Sequence, residues 1–152
     1  MIYHRWYENK KDAADALALR QEVFCDEQHF QDEFDEIDDR ASHLVLYEET
    51  LPVACGRCFA EEDPACWHLG RLAVKKAFRG RGLGRLALIV MEIKAVESGA
   101  KTTRLSAQMQ AVPFYEKCGY HTVGESYLEE NCPHILMEKD LAGLSQPAAS
   151  KA

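Results

Sequence analysis

No run of apolar residues in this 152-residue sequence approaches the ~20 needed to span a bilayer, so no membrane-spanning helix is expected. The first residues, Met1-Ile2-Tyr3-His4-Arg5-Trp6, contain no signal-peptide core. The expected location is therefore the cytoplasm, with the six Cys as reduced thiols rather than a disulfide framework. Basic residues are the minority: 18 Lys and Arg against 25 Asp and Glu leave a net charge of -7, which argues against a nucleic-acid partner. There is no Gly-x-Ser-x-Gly elbow, so a serine hydrolase is not expected. Internal repeats and interior linkers are missing too. What remains is ordinary: 47% hydrophobic and 28% charged residues describe a soluble globular chain. One domain is expected over residues 1–141, with 142–152 as a flexible tail.

The charge is uneven. Asp26 to Asp39 holds Asp26, Glu27, Asp32, Glu33, Asp35, Glu36, Asp38 and Asp39 with no Lys or Arg. Lys75 to Arg85 holds Lys75, Lys76, Arg79, Arg81 and Arg85 with no acid. An acidic chain with one short basic segment is suited to holding a small anion there. The plainer alternative is a pair of solvated loops.

Periodicity predicts a strand at Ile2 to Tyr7 and a helix capped by Asp12 that runs to about Phe24. A hairpin follows, His43 to Tyr47 and Val53 to Phe59, with Leu51-Pro52 in its turn. Trp67 to Val74 reads as a strand, and Leu86, Ile89, Val90, Ile93 and Val96 fall at helical spacing. Thr103 to Ala107 is a short strand, Pro113 opens a short helix that Gly119 caps, and Tyr120 to Val123 and Ile135 to Glu138 close the sheet. The order predicts an α/β (α+β) domain, a mixed sheet with helices packed on it.

Between the fourth predicted strand and the long helix lies Arg79-Gly80-Arg81-Gly82-Leu83-Gly84. Helix N-termini leave N–H groups unpaired and attract phosphate, glycine lets the backbone approach it, and arginine adds charge-assisted contacts. The P-loop pattern is absent, and these glycines are spaced G-x-G-x-G, not as in the dinucleotide fingerprint G-x-G-x-x-G. Cys55-Gly56-Arg57-Cys58 spells C-x-x-C, but in a strand residues i and i+3 face opposite sides, so neither a redox pair nor a metal site is expected.

The pattern that fits is Arg/Gln-x-x-Gly-x-Gly/Ala, which resembles the pyrophosphate loop of the GNAT N-acetyltransferase superfamily. The likeness extends over nearly the whole chain. Gly70-Arg71-Leu72-Ala73-Val74 resembles the family's central strand, and Leu105 to Gln108 with Val112 to Tyr120 resembles its next strand and Phe-Tyr helix. Leu19 to Gln28, Asp38 to His43 and Cys132-Pro133-His134-Ile135 are similar to its ElaA-like bacterial subgroup.

The resemblance implies a mostly antiparallel sheet with splayed middle strands and flanking helices, and an acetyltransferase using acetyl-CoA. Leu72, Ala73 and Val74 would bind pantetheine through their backbone, and Arg79, Gly80, Arg81, Gly82, Leu83 and Gly84 the pyrophosphate. Gln108 and Phe114 would line the coenzyme, Gln108 standing near where many members carry an Asn. Tyr115 would protonate the departing thiolate, where the alternative is a packing tyrosine. Glu27, His43 and His134 are candidate bases for the acceptor amine. The acidic run suggests a small cationic amine as acceptor. Transfer to a protein N-terminus or lysine, a catalytically idle acyl-CoA sensor, and a homodimer all stay open at this stage.

Overall fold

The computed structural model describes residues 1–142. The expected tail lies almost wholly outside them. Seven strands form one sheet in the order β1-β2-β3-β4-β5-β7-β6. The strands are β1 (Ile2–Tyr7), β2 (Ser42–Glu48), β3 (Leu51–Ala60), β4 (Cys66–Val74), β5 (Thr102–Gln108), β6 (His121–Glu129) and β7 (Cys132–Asp140). The chain divides into two compact units, Met1–Phe59 with Leu69–Met91, and Ala60–His68 with the described residues from Glu92 on.

In the first unit, β1 pairs antiparallel with β2 from Ile2↔Glu48 to Tyr7↔His43, and β2 pairs antiparallel with β3. Helix α1 (Ala14–Arg20) continues without interruption into a π-helical segment, Gln21–Glu27, closed by Gln28 N–H donating to the Val23 carbonyl. The N-cap is Ala13 rather than the expected Asp12, because Asp12 is tied back to Asn9 by two hydrogen bonds of 2.9 and 3.0 Å. Ala13, Ala16, Leu19 and Val23 bury one face of this helix against Val45, Tyr47, Cys55 and Ala73. The expected hairpin turn also moves. Leu51 and Pro52 are already in β3, opposite Glu48 and Tyr47, and Glu49, at φ +56°, makes the bend. Pro52 lacks an N–H, and the register shifts beside its partner Tyr47.

Helix α2 (Leu83–Glu97) forms where predicted, but of the five residues at helical spacing only Val90 and Val96 are even half-buried. Leu86, Ile89 and Ile93 are exposed, while Leu83, Ala87, Leu88, Met91 and Ala95 are buried. Small residues let this face lie close. On β3, a Cβ added to Gly56 would stand 2.7 Å from the Met91 sulfur.

In the second unit, β4 and β5 run parallel for only three register pairs, Cys66↔Thr102 to His68↔Arg104. Strand β5 pairs antiparallel with β7, and β7 with β6. The last hairpin is longer than predicted. Its turn is Glu130-Asn131, both at positive φ, as a type I′ turn requires. Helix α3 (Val112–Lys117) carries Pro113 in its first turn. Trp67 and Val96 pack against Ala95, Ala100 and Leu141. A polar knot is buried here: Tyr120 donates to Glu92 at 2.8 Å, and Lys139 neutralises the same carboxylate at 3.0 Å.

Candidate active site

The glycine loop is shaped by two left-handed residues, Gly80 at φ +81° and Gly82 at φ +77°. Nothing lies within 4 Å of a Cβ built at either, so conformation rather than crowding selects glycine there. Leu83 and Gly84 already belong to α2, whose first bond runs from Leu86 N–H to the Gly82 carbonyl. The N–H groups that open the helix therefore lie where the loop turns into it, as an anion site requires.

Both loop arginines are engaged by carboxylates of the same unit. Arg79 donates to the Val74 carbonyl at 3.0 Å and grips Glu27 with both terminal nitrogens, at 2.6 and 2.7 Å. This hydrogen-bonded pairing holds Glu27 below the usual carboxylate range and Arg79 above its own. Arg81 lies over the Phe78 ring and reaches Glu48 at 3.4 Å. Lys75 donates to Glu22 at 2.9 Å, a second tie to the π-helical segment. Of the strand residues expected to meet the coenzyme, Ala73 is buried, and Leu72 and Val74 are half-buried.

Among the other candidates, Tyr115 is half-buried, edge-on to Phe114 and Tyr120. No hydrogen bond engages its hydroxyl among the described residues. Desolvation pushes Tyr115 up to about 12, so it is an O–H donor at every working pH. His134 stands opposite Gln108 on β5 and Tyr127 on β6. Its Nδ1 lies 2.7 Å from the Cys132 carbonyl, which can only accept, so Nδ1 carries a proton and Nε2 is the acceptor nitrogen of the neutral ring. Nε2 is 3.6 Å from Glu129, and the Tyr127 ring stacks on the imidazole at 6.3 Å. The Tyr127 hydroxyl bonds in turn to Ser106, and Gln110 bonds to Gln108.

His43 does not fit the role suggested for it. Its ring is 0% exposed, with Nε2 on the Asp38 carbonyl at 2.9 Å and no partner for Nδ1 among the described residues, so an acceptor in solvent does not reach it. Glu27 is accessible, but as Arg79's partner rather than as a free base. Cys55 and Cys58 are buried and not disulfide-bonded, and desolvation pushes Cys55 up to about 12, far from redox reactivity.

The acidic run is also put to a different use than expected. Glu33, Asp35 and Asp38 meet three arginines that sequence reading left unassigned. Arg20 donates to Glu33 and Asp38, each at 2.8 Å. Arg57 donates to Asp35 at 2.7 Å and Asp38 at 2.9 Å. Arg71 reaches Glu33 at 2.8 Å and Asp35 at 3.2 Å. The two guanidinium partners draw Asp38 down to about 2, while desolvation leaves Glu33 raised. Three cations balance three anions, so these carboxylates have no charge left over to attract a cationic acceptor. The available signal was a lone Arg in each of three apolar stretches, at Arg20, Arg57 and Arg71.

A family model described as an acetyltransferase (GNAT) domain matches residues 9–141. The uncharacterized N-acetyltransferase YjcF of Bacillus subtilis is 36% identical over 135 residues, covering 87% of this chain and 95% of its own. A crystal structure from Lactobacillus plantarum superposes with a TM-score of 0.85 at 33% identity, over 92% of this chain and 98% of that one. Escherichia coli ElaA superposes with a TM-score of 0.80 at 26% identity, over 92% of this chain and 100% of its own.

Proposed function

This chain belongs to the GNAT acetyltransferase family and is an acyltransferase enzyme; on that premise we propose that it transfers the acetyl group of acetyl-CoA to the amine of a small acceptor, by direct attack in a ternary complex. The reading takes residues 1–141 as one catalytic domain. The observation that carries it is the loop of Arg79 to Gly84, with its two left-handed glycines opening onto the N-terminus of α2. Pyrophosphate is received by Arg79 and Arg81 and by the backbone of Gly80, Gly82, Leu83 and Gly84. Leu72, Ala73 and Val74 offer their backbone to pantetheine as an added strand would. Gln108 and Phe114 flank the acyl end.

The amine nitrogen attacks the thioester carbonyl, a C–N bond forms and the C–S bond breaks. Nε2 of His134 takes the amine's proton, and Glu129 steadies the resulting imidazolium. Tyr115 serves the departing sulfur as a hydrogen-bond donor. Its acidity near 12, against ~8.5 for an ordinary thiol, makes full proton transfer uphill by about 3–4 units, or about 5 kcal/mol. A hydrogen bond to the thiolate carries no such penalty.

The test is an acceptor screen with acetyl-CoA, reading free thiol across amines, amino sugars and peptides. Turnover with small amines and none with peptides supports the reading. Turnover confined to peptides, or none in the presence of tight CoA binding, overturns its acceptor half.

A further inference from the structure

Residue 71 lies inside β4 with φ +51°, a left-handed conformation that a long side chain rarely adopts. Its neighbour Gly70, which could adopt it freely, does not do so. A conformation of this kind persists only where the surroundings over-determine it. Here they do. The Arg71 guanidinium donates to the Glu33 carbonyl from Nε at 3.2 Å and from Nη2 at 3.0 Å. It also meets the Glu33 carboxylate at 2.8 Å and Asp35 at 3.2 Å. The Cys55 thiol of β3 donates to the Arg71 carbonyl at 3.7 Å. The loop that holds Arg71 is itself fixed, because Asp35 and Asp38 close a capping box around the turn Glu36–Asp39, and Arg20 and Arg57 bind the same carboxylates.

The next three residues, Leu72, Ala73 and Val74, are those assigned above to pantetheine. A backbone turned at residue 71 sets where their N–H and C=O groups point. We propose that Arg71 is a positioning residue: the Glu33–Asp35 loop grips its guanidinium, the grip holds residue 71 left-handed, and that turn aims the Leu72–Val74 backbone at the coenzyme. This inference rests on the acyl-CoA reading of the site. It also gives the acidic loop a task other than attracting substrate.

The test uses the fact that glycine accepts positive φ and alanine does not, although both lack the guanidinium. Arg71→Ala and Arg71→Gly are compared with wild type for CoA affinity by calorimetry and for acetyl-CoA turnover with the amine found in the screen. Arg71→Ala should lose ~10-fold or more in kcat/KM for acetyl-CoA, and Arg71→Gly should recover most of it. Alanine is the less stable of the two at any left-handed position, so melting temperatures are read beside turnover, and a merely structural arginine lowers them while kcat/KM per folded molecule keeps its wild-type value. Equal losses, or a larger loss in Arg71→Gly, overturn the proposal. If Arg71→Ala does not fold, Asp35→Asn serves, since Asp35 is part-exposed. It should lower kcat/KM in the wild-type background and cost nothing further in the Arg71→Gly background. An equal cost in both routes its effect through Arg57 and also overturns the proposal. Failure of wild type to bind CoA refutes the acyl-CoA reading, whereas CoA binding with Arg71→Ala as active as Arg71→Gly refutes only this inference.

Discussion

On the proposed reading Glu27 and the coenzyme's phosphates compete for the Arg79 guanidinium, and Glu27→Gln measures that competition. Arg79 and Glu27 form a bidentate pair at 2.6 and 2.7 Å, with side chains 39% and 34% exposed. Exposed pairs contribute about 0.2–1 kcal/mol, and the two-point geometry puts this one toward the upper end. A pyrophosphate that recruits Arg79 must first displace Glu27. Removing the carboxylate should therefore tighten CoA binding by up to about 5-fold, since 1.4 kcal/mol corresponds to a factor of ten. The gain should shrink as salt screens the pair. Calorimetry with CoA at low and high ionic strength reads it directly, and pantetheine, which has no pyrophosphate, should show no gain. The alternative role for Glu27, general base, makes a different prediction for the same protein: unchanged CoA affinity and a loss of ~100-fold or more in kcat. A Glu27→Gln enzyme that binds CoA no more tightly than wild type refutes the competition argument.

Tyr115→Phe should keep CoA affinity and lose ~10-fold to 100-fold in kcat, seen by thiol release beside a CoA titration. His134→Gln should lower kcat by ~100-fold without changing CoA affinity, read by thiol release beside a CoA titration. Gly82→Ala meets no clash, so its cost is conformational only, about 1 kcal/mol at φ +77°, read as a lower melting temperature and weaker CoA binding. For acid stability the sign follows from Asp38, which is fully buried and depressed to about 2. A depressed carboxylate stabilises the fold above its unfolded value of ~3.9 and loses that contribution as pH falls through the folded value. Urea unfolding at pH 5 and at about pH 2 should differ by about 2 kcal/mol from this group, and Asp38→Asn should remove that dependence.

Local features were legible in the sequence because local physics fixes them. Strand β1 has its predicted bounds, Ile2 to Tyr7, and the glycines of the Arg79 to Gly84 loop announce left-handed backbone at Gly80 and Gly82. Misreadings arose where partners are distant or where two patterns compete. The apolar spacing of Leu86, Ile89 and Ile93 outweighed the alanines on the opposite face of α2, yet it is the alanine face that is buried. Glu130-Asn131 carries no glycine, so the type I′ turn and the full length of the last hairpin were hidden. His43 lies in an ordinary strand sequence, and only its register against Tyr7 and Arg57 shows it to be interior. The ion network joins residues 13 to 38 positions apart, beyond the reach of any periodicity.

That network also constrains how the protein can change over generations. Six charges from separate stretches of chain cancel inside one unit, and loss of one member strands a neighbour's charge where water cannot reach it. Such single losses cost about 3–5 kcal/mol when the pair is buried, a large share of a typical domain's stability. Substitutions at Arg20, Glu33, Asp38 and Arg57 should therefore arrive together or not at all. In an aligned set of relatives these positions should vary as a block, with opposite charges gained and lost in step.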